Sequence, residues 1–166
     1  LRLYNYQTRL NTAIKKHQAG SISSLKKVGI LIDTQAMPDC KAYTILQKEL
    51  AENNTQFEVL FYVSKESDVT ADTEKWFSKK ALNLYGKFKK EGTAKSFEQQ
   101  NFDLLINYFV KPPEALLLLS ALVNAKLKVG FELECTGLND LSIATDPKNT
   151  KLFAQEVKKY LSIINQ

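Results

Sequence analysis

The chain has 166 residues, 44% hydrophobic and 25% charged, with 6 Gly and 4 Pro, the balance of one folded domain able to bury roughly two thirds of its unfolded surface. Collagen-like, disulfide-scaffold and disordered classes are excluded by that composition. The formal charge of +5 is uneven: Arg2, Arg9, Lys15, Lys16, Lys26 and Lys27 lie in residues 1–27 with no Asp or Glu, which leaves 17 of the 23 basic side chains against all 18 acidic ones, a basic element on a near-neutral body.

Residues 2–18 are predicted to form an amphipathic helix, because Leu3, Tyr6, Leu10, Ala13 and Ile14 recur every three to four positions. Gly20 and the serines after it end that helix. The run Val28-Gly-Ile-Leu-Ile32, closed by Asp33, reads as a strand buried on both faces of a parallel sheet. Ala42, Ile45, Leu46 and Leu50 then share a helical face, Asn53-Asn54 stops it, and a strand follows over 57–63. Strand, helix, strand at this spacing is a βαβ unit.

Residues 64–100 mix Trp76, Phe77, Leu82, Leu84, Tyr85 and Phe88 with many lysines and fit neither period, so an edge strand, a loop or a short helix all remain open there. Phe102–Phe109 reads as a strand. Pro112-Pro113-Glu114 suits the first turn of a helix running to about Ala125, and Lys128–Phe131 reads as a short strand. Residues 141–144 are another strand, after which Asp146 is expected to cap a closing helix with Pro147 at its first position. Leu152, Phe153, Val157, Leu161 and Ile164 would form its buried stripe. The fold expected is α/β: a single three-layer Rossmann-like domain over 28–166 with a mostly parallel sheet, preceded by a basic helix and linker over 1–27.

The most apolar stretch, 115–123, is about half the length a membrane helix needs, and the first residues lack the apolar core of a signal peptide. A cytoplasmic protein is expected. Cys40 and Cys135 show no CxxC pattern, which suits a reducing compartment and offers no zinc site.

The six glycines form no GxGxxG and no P-loop, so phosphates would lack the close backbone approach those motifs provide. No cofactor is expected. The only histidine, His17, lies in the basic segment rather than the core, which argues against a Ser-His-Asp triad and a histidine metal centre; a solvated place near a helix end is expected for it. Ligands of open parallel sheets bind beyond the carboxyl ends of the strands, and this singles out Asp33, Asn107 and Glu132 as candidate ligand-binding residues. Their alternative reading is the capping of turns.

Five stretches, Val28-Gly-Ile-Leu-Ile-Asp33, Phe77-Ser-Lys-Lys-Ala-Leu-Asn-Leu-Tyr-Gly86, Asn101-Phe-Asp-Leu-Leu-Ile-Asn107, Asn124-Ala-Lys-Leu-Lys-Val-Gly-Phe131 and Thr145-Asp-Pro-Lys-Asn-Thr150, together resemble an uncharacterised flavobacterial-type family of short α/β proteins of unknown function. The resemblance implies one α/β domain in a bacterial cytoplasm and supplies no catalytic residue. Asp103-Leu-Leu-Ile and Lys126-Leu-Lys-Val-Gly-Phe131 are also similar to the acceptor-side half of heptosyltransferase-type glycosyltransferases. That similarity implies shared architecture, because the chain has room for only one of the two domains such enzymes use.

The function expected is noncatalytic binding of an anionic partner, RNA or a ribonucleoprotein, with a protein partner as another possibility. Arg2, Arg9, Lys15, Lys16, Lys26 and Lys27 would make the contacts, and Tyr4 and Tyr6 would stack. The same pattern reads equally as a helix packed on the domain with its lysines solvated. The alternative function is a small sugar- or nucleotide-phosphate enzyme working at the strand ends.

Overall fold

The computed structural model describes residues 2–164, apart from the side chain of Arg2. Six strands, β1 (Lys27–Asp33), β2 (Gln56–Tyr62), β3 (Trp76–Phe77), β4 (Asn101–Tyr108), β5 (Asn124–Phe131) and β6 (Leu141–Ile143), form one sheet in the order β3-β2-β1-β4-β5-β6. Every ladder is parallel. The helices are α1 (Arg2–Lys16), α2 (Tyr43–Leu50), α3 (Thr93–Glu98), α4 (Glu114–Leu122) and α5 (Thr150–Ile164).

Side chains alternate across a strand, and a sheet buried on both sides needs apolar residues in both registers. On one face Leu31, Leu60 and Leu105 pack with Tyr6 and Leu10 of α1, Phe97 of α3 and Leu116 and Leu119 of α4. On the other, Ile30, Ile32, Leu104 and Ile106 pack with Leu46 and Leu50 of α2 and Phe153 and Val157 of α5. The result is the expected three-layer Rossmann-like domain. Because β1-α2-β2 and β4-α4-β5 close on opposite faces, a crevice opens beyond the carboxyl ends of β1 and β4, the topological switch point of this strand order.

The N-terminal segment binds both faces. Tyr6 and Leu10 enter one core, and Ile22 and Leu25 enter the other. Between them the chain passes the amino ends of the strands, where Gly20 N–H donates to Lys126 O at 2.8 Å and Asp103 Oδ2 accepts from the amides of Lys26 and Lys27 at 2.9 and 3.0 Å. Leu3 is the exception to the expected stripe and is exposed.

Several local expectations are corrected. α4 ends at Leu122 and β5 begins at Asn124, four residues before the expected strand: Val123 is already extended, and the Asn124 side-chain Nδ2 donates to Asn101 Oδ1 at 2.7 Å, aligning the starts of β4 and β5. Asp146 caps a turn rather than α5. Its Oδ1 accepts from Lys148 N–H, while Asn149 Oδ1 accepts from Leu152 N–H, and the helix begins at Thr150. Leu152 is exposed because it falls off the arc defined by Phe153, Val157 and Leu161, whereas Ile164, in phase with that arc, is exposed as the last residue of the helix. The irregular middle resolves into the short β3, the short α3 and 3-10 turns.

Candidate functional site

A cavity of about 670 Å³ runs between α1 and the end of α4 with the start of β5. Thr8, Arg9, Thr12, Lys16 and His17 line one side, and Leu122, Asn124 and Lys128 line the other. A second hollow of about 430 Å³ is lined by Tyr4, Asn5, Thr8, Arg9, Tyr85 and Lys87. Thr8 and Arg9 line both, so the two hollows adjoin along one groove-like face of α1. Residues four apart lie above one another on a helix, and Tyr4, Thr8, Thr12 and Lys16 beside Asn5, Arg9, Ala13 and His17 therefore make a continuous face about 20 Å long. Among the described residues that line either hollow there is no Asp or Glu.

The far wall of the second hollow is a stiff turn. Asn83 Oδ1 accepts from the amides of Tyr85 and Lys87 at 2.9 and 3.0 Å, and a Leu82–Phe88 bridge closes its base. Gly86 has φ +67° and lies in van der Waals reach of the Tyr6 backbone, so a side chain there would be strained by its backbone conformation. The Arg9 guanidinium donates to Gly86 O. This packing leaves Tyr85 and Tyr4 as exposed rings on opposite sides of the hollow.

At the floor of the larger cavity, Lys128 is 1% exposed. Its Nζ donates to the carbonyls of Ser120 and Ala121 at 2.8 and 3.1 Å, and so places a cation at the negative end of α4. Burial lowers the Lys128 pKa to about 8, with Asp140 opposing the shift. His17 is not the solvated residue expected: its Nε2 lies 2.9 Å from Asp140 Oδ2, and its side chain is only 10% exposed.

Of the six N-terminal cations, Arg9 and Lys16 line the groove and Lys15 is exposed nearby on α1. The side chain of Arg2 lies outside the described residues. Lys26 and Lys27 sit at the start of β1, where Asp103 holds their amides and Lys27 Nζ lies 5.6 Å from the centre of the Phe102 ring. Burial opposes ionisation of Asp103, but Lys126 and the two amides override it and hold the carboxyl below its ordinary value. Tyr6, expected to stack, is instead 3% exposed in the core.

The three candidate ligand residues do not converge. Asn107 is fully buried, accepting from Ser120 Oγ and donating to Asn139 Oδ1, both at 2.7 Å. A Cβ on Gly130 would come within 2.7 Å of Asn107 O. Glu132 is exposed and lines a small hollow with Cys135, Asn139 and Ser142. Asp33 alone reaches the switch point, where Gln35, Pro38, Val110, Lys111, Asp146 and Lys148 join it.

Sequence reasoning missed Lys128, Thr8, Thr12 and Tyr85 as lining residues. A signal for Lys128 was present: Leu127, Val129 and Phe131 claim one face of β5, so Lys128 must face α4.

A model of the DUF6913 family, described as a family of unknown function, matches residues 2–164. No curated protein and no solved structure matches the chain.

Proposed function

We propose that this chain, which belongs to the DUF6913 family of unknown function, is a noncatalytic binding module that holds single-stranded RNA in the groove along α1. The observation that carries this reading is the adjoining of two hollows at Thr8 and Arg9 along one face of α1, with no Asp or Glu among their described lining residues, Arg9, Lys16 and Lys87 at the surface, and two exposed tyrosines at one end. Proteins that bind single strands pair a positive groove for the backbone with aromatic rings on which bases stack. Thr8, Thr12 and Asn124 add hydrogen-bonding groups for phosphate or sugar. The reading sets the protein in a bacterial cytoplasm, where RNA and ribonucleoprotein are polyanions at hand.

Lys26 and Lys27 have no part in it, since they lie at the amino end of β1 and not among the groove's lining residues. The test is fluorescence anisotropy of the full chain with a labelled oligouridine of about 12 nucleotides. Three groove cations at the surface, Arg9, Lys16 and Lys87, set a slope of log affinity against log salt of about −2, at roughly 0.7 per contact. Tyr85→Ala is expected to weaken binding by about 1–3 kcal/mol for a lost stack. Unchanged affinity in both Tyr85→Ala and Lys16→Glu/Lys87→Glu would refute the assignment.

A further inference from the structure

The cavity beyond the carboxyl ends of β1 and β4 is separate from the groove and shares no lining residue with it. It holds about 350 Å³, at the small end of the range of roughly 300–1,000 Å³ typical of ligand pockets. Ala36, Pro38, Val110 and Pro147 supply apolar walls, and Lys111 and Lys148, both exposed, stand at the rim. The Pro147 wall is fixed from behind, because the Tyr108 hydroxyl donates to Pro147 O and lies 3.1 Å from Thr150 Oγ1.

Asp33 is the polar group inside. It is 4% exposed, and one carboxylate oxygen accepts from Gln35 N–H at 3.0 Å. The other accepts nothing among the described residues, and Asp33 forms no ion pair there. A buried acid without a counter-charge is costly to keep for structure alone. Its open oxygen can accept an N–H or O–H brought by a ligand. The loop 33–38 carries no glycine, so its backbone does not offer the close approach that a pyrophosphate requires.

We propose that this cavity binds a nucleoside monophosphate, with the nucleoside's donor groups on Asp33, its rings against Pro38, Val110 and Pro147, and its single phosphate at Lys111 and Lys148. The rim charges divide the recognition. Neither Lys111 nor Lys148 forms an ion pair among the described residues, so their ammonium groups are free to meet the phosphate, while the Asp146 carboxylate on the same rim accepts from the Lys148 backbone N–H. A diphosphate fits less well, since its second phosphate extends past both lysines with no glycine turn to receive it.

The test is calorimetric titration of the full chain with AMP, GMP, CMP and UMP and with the four parent nucleosides. At least one monophosphate is expected to bind, and at least fivefold more tightly than its nucleoside. Asp33→Asn keeps the contact to Gln35 and should weaken that binding at least tenfold. Lys111→Ala/Lys148→Ala should abolish the advantage over the nucleoside while leaving nucleoside binding in place. Val110→Trp, at an exposed position of the mouth, should block entry and serves if Asp33→Asn fails to fold. All these variants should keep the affinity of the parent chain for oligouridine. No binding of any monophosphate at about 5 mM overturns the proposal. So does binding that survives both Asp33→Asn and Val110→Trp, or that is lost instead in Lys16→Glu/Lys87→Glu, since the mononucleotide would then occupy the α1 groove.

Discussion

His17 Nε2 lies 3.0 and 2.9 Å from the two carboxylate oxygens of Asp140, a residue 123 positions away. Asp140 Oδ2 also accepts from the Lys128 amide at 2.7 Å, and the Asp140 amide donates to Lys128 O at 2.8 Å. One carboxylate thus joins the end of α1 to the middle of β5. Asp140→Ala removes both contacts from a site whose two side chains are only 10% and 19% exposed. A loss of about 1–3 kcal/mol is expected, seen as a fall of roughly 2–10 °C in Tm; a Tm within 1 °C of the parent would show that the contact carries no stability.

The N-terminal helix is part of the fold, and its removal should be felt throughout. Leu10→Ala is expected to cost about 2–5 kcal/mol, a large share of the roughly 5–15 kcal/mol typical of a domain. Deleting residues 1–20 takes Tyr6 and Leu10 from the core together and leaves the apolar face of α4 without cover. Circular dichroism melting should then show no cooperative transition. A sharp transition close to that of the full chain would mean that α1 is dispensable for folding.

Charge reversal separates the N-terminal cations by place. Lys16→Glu should flatten the salt dependence of oligouridine binding by about one contact, or about 0.7 in slope, because Lys16 lines the groove. Lys26→Glu should leave the slope unchanged. Neither should shift Tm by more than about 2 °C, since exposed charges contribute little to folding. The opposite ranking would move the contact surface to the strand starts.

Lys128 sets a pH dependence with a definite sign. Burial lowers its pKa to about 8 in the folded chain, while the unfolded chain keeps an ordinary lysine value of about 10.4. Between these values the unfolded state binds the extra proton, so stability rises with pH in that window. The gain from pH 8 to 10 is of order 2 kcal/mol. From about pH 9 it is opposed, because burial raises the pKa values of Cys40 and Cys135 and, at higher pH, of Tyr6, Tyr62 and Tyr108, and the folded chain then holds protons that the unfolded chain releases. Urea unfolding across pH 7–10 should show the rise in the parent, and in Lys128→Met that rise should be absent, leaving only the fall that the buried thiols impose from about pH 9.

Asp33 is expected to trade stability for binding. Burial raises its pKa, with the Gln35 amide pulling the other way, so the folded chain penalises the carboxylate at every pH above its folded pKa. Asp33→Asn removes that charge and should raise Tm at pH 7 while weakening mononucleotide binding. At pH 3, where both states carry a protonated Asp33, the difference from the parent should vanish. A lower Tm at pH 7 would show that the carboxylate is held by contacts that favour its charge.

Much of the fold was legible in the sequence because it depends on local pattern. The continuous run Val28–Ile32 announced a strand covered on both faces, and Leu46 and Leu50, or Phe153 and Val157, announced helices with one buried side. These follow from periodicity, which each segment carries whatever its partners are. Asp33 was readable on the same ground, since the end of a parallel strand is defined by where the apolar run stops. The boundaries of α4 and β5 were not, because Val123 and Asn124 are set by alignment with Asn101 across the sheet. Of the groove, only the Arg9 and Lys16 side was legible in the sequence. The groove exists because packing of Tyr6 and Leu10 turns the Thr8–Arg9 face of α1 toward Lys128 and Tyr85, residues about 120 and 77 positions away, and only the tertiary fold decides which charges meet across such distances.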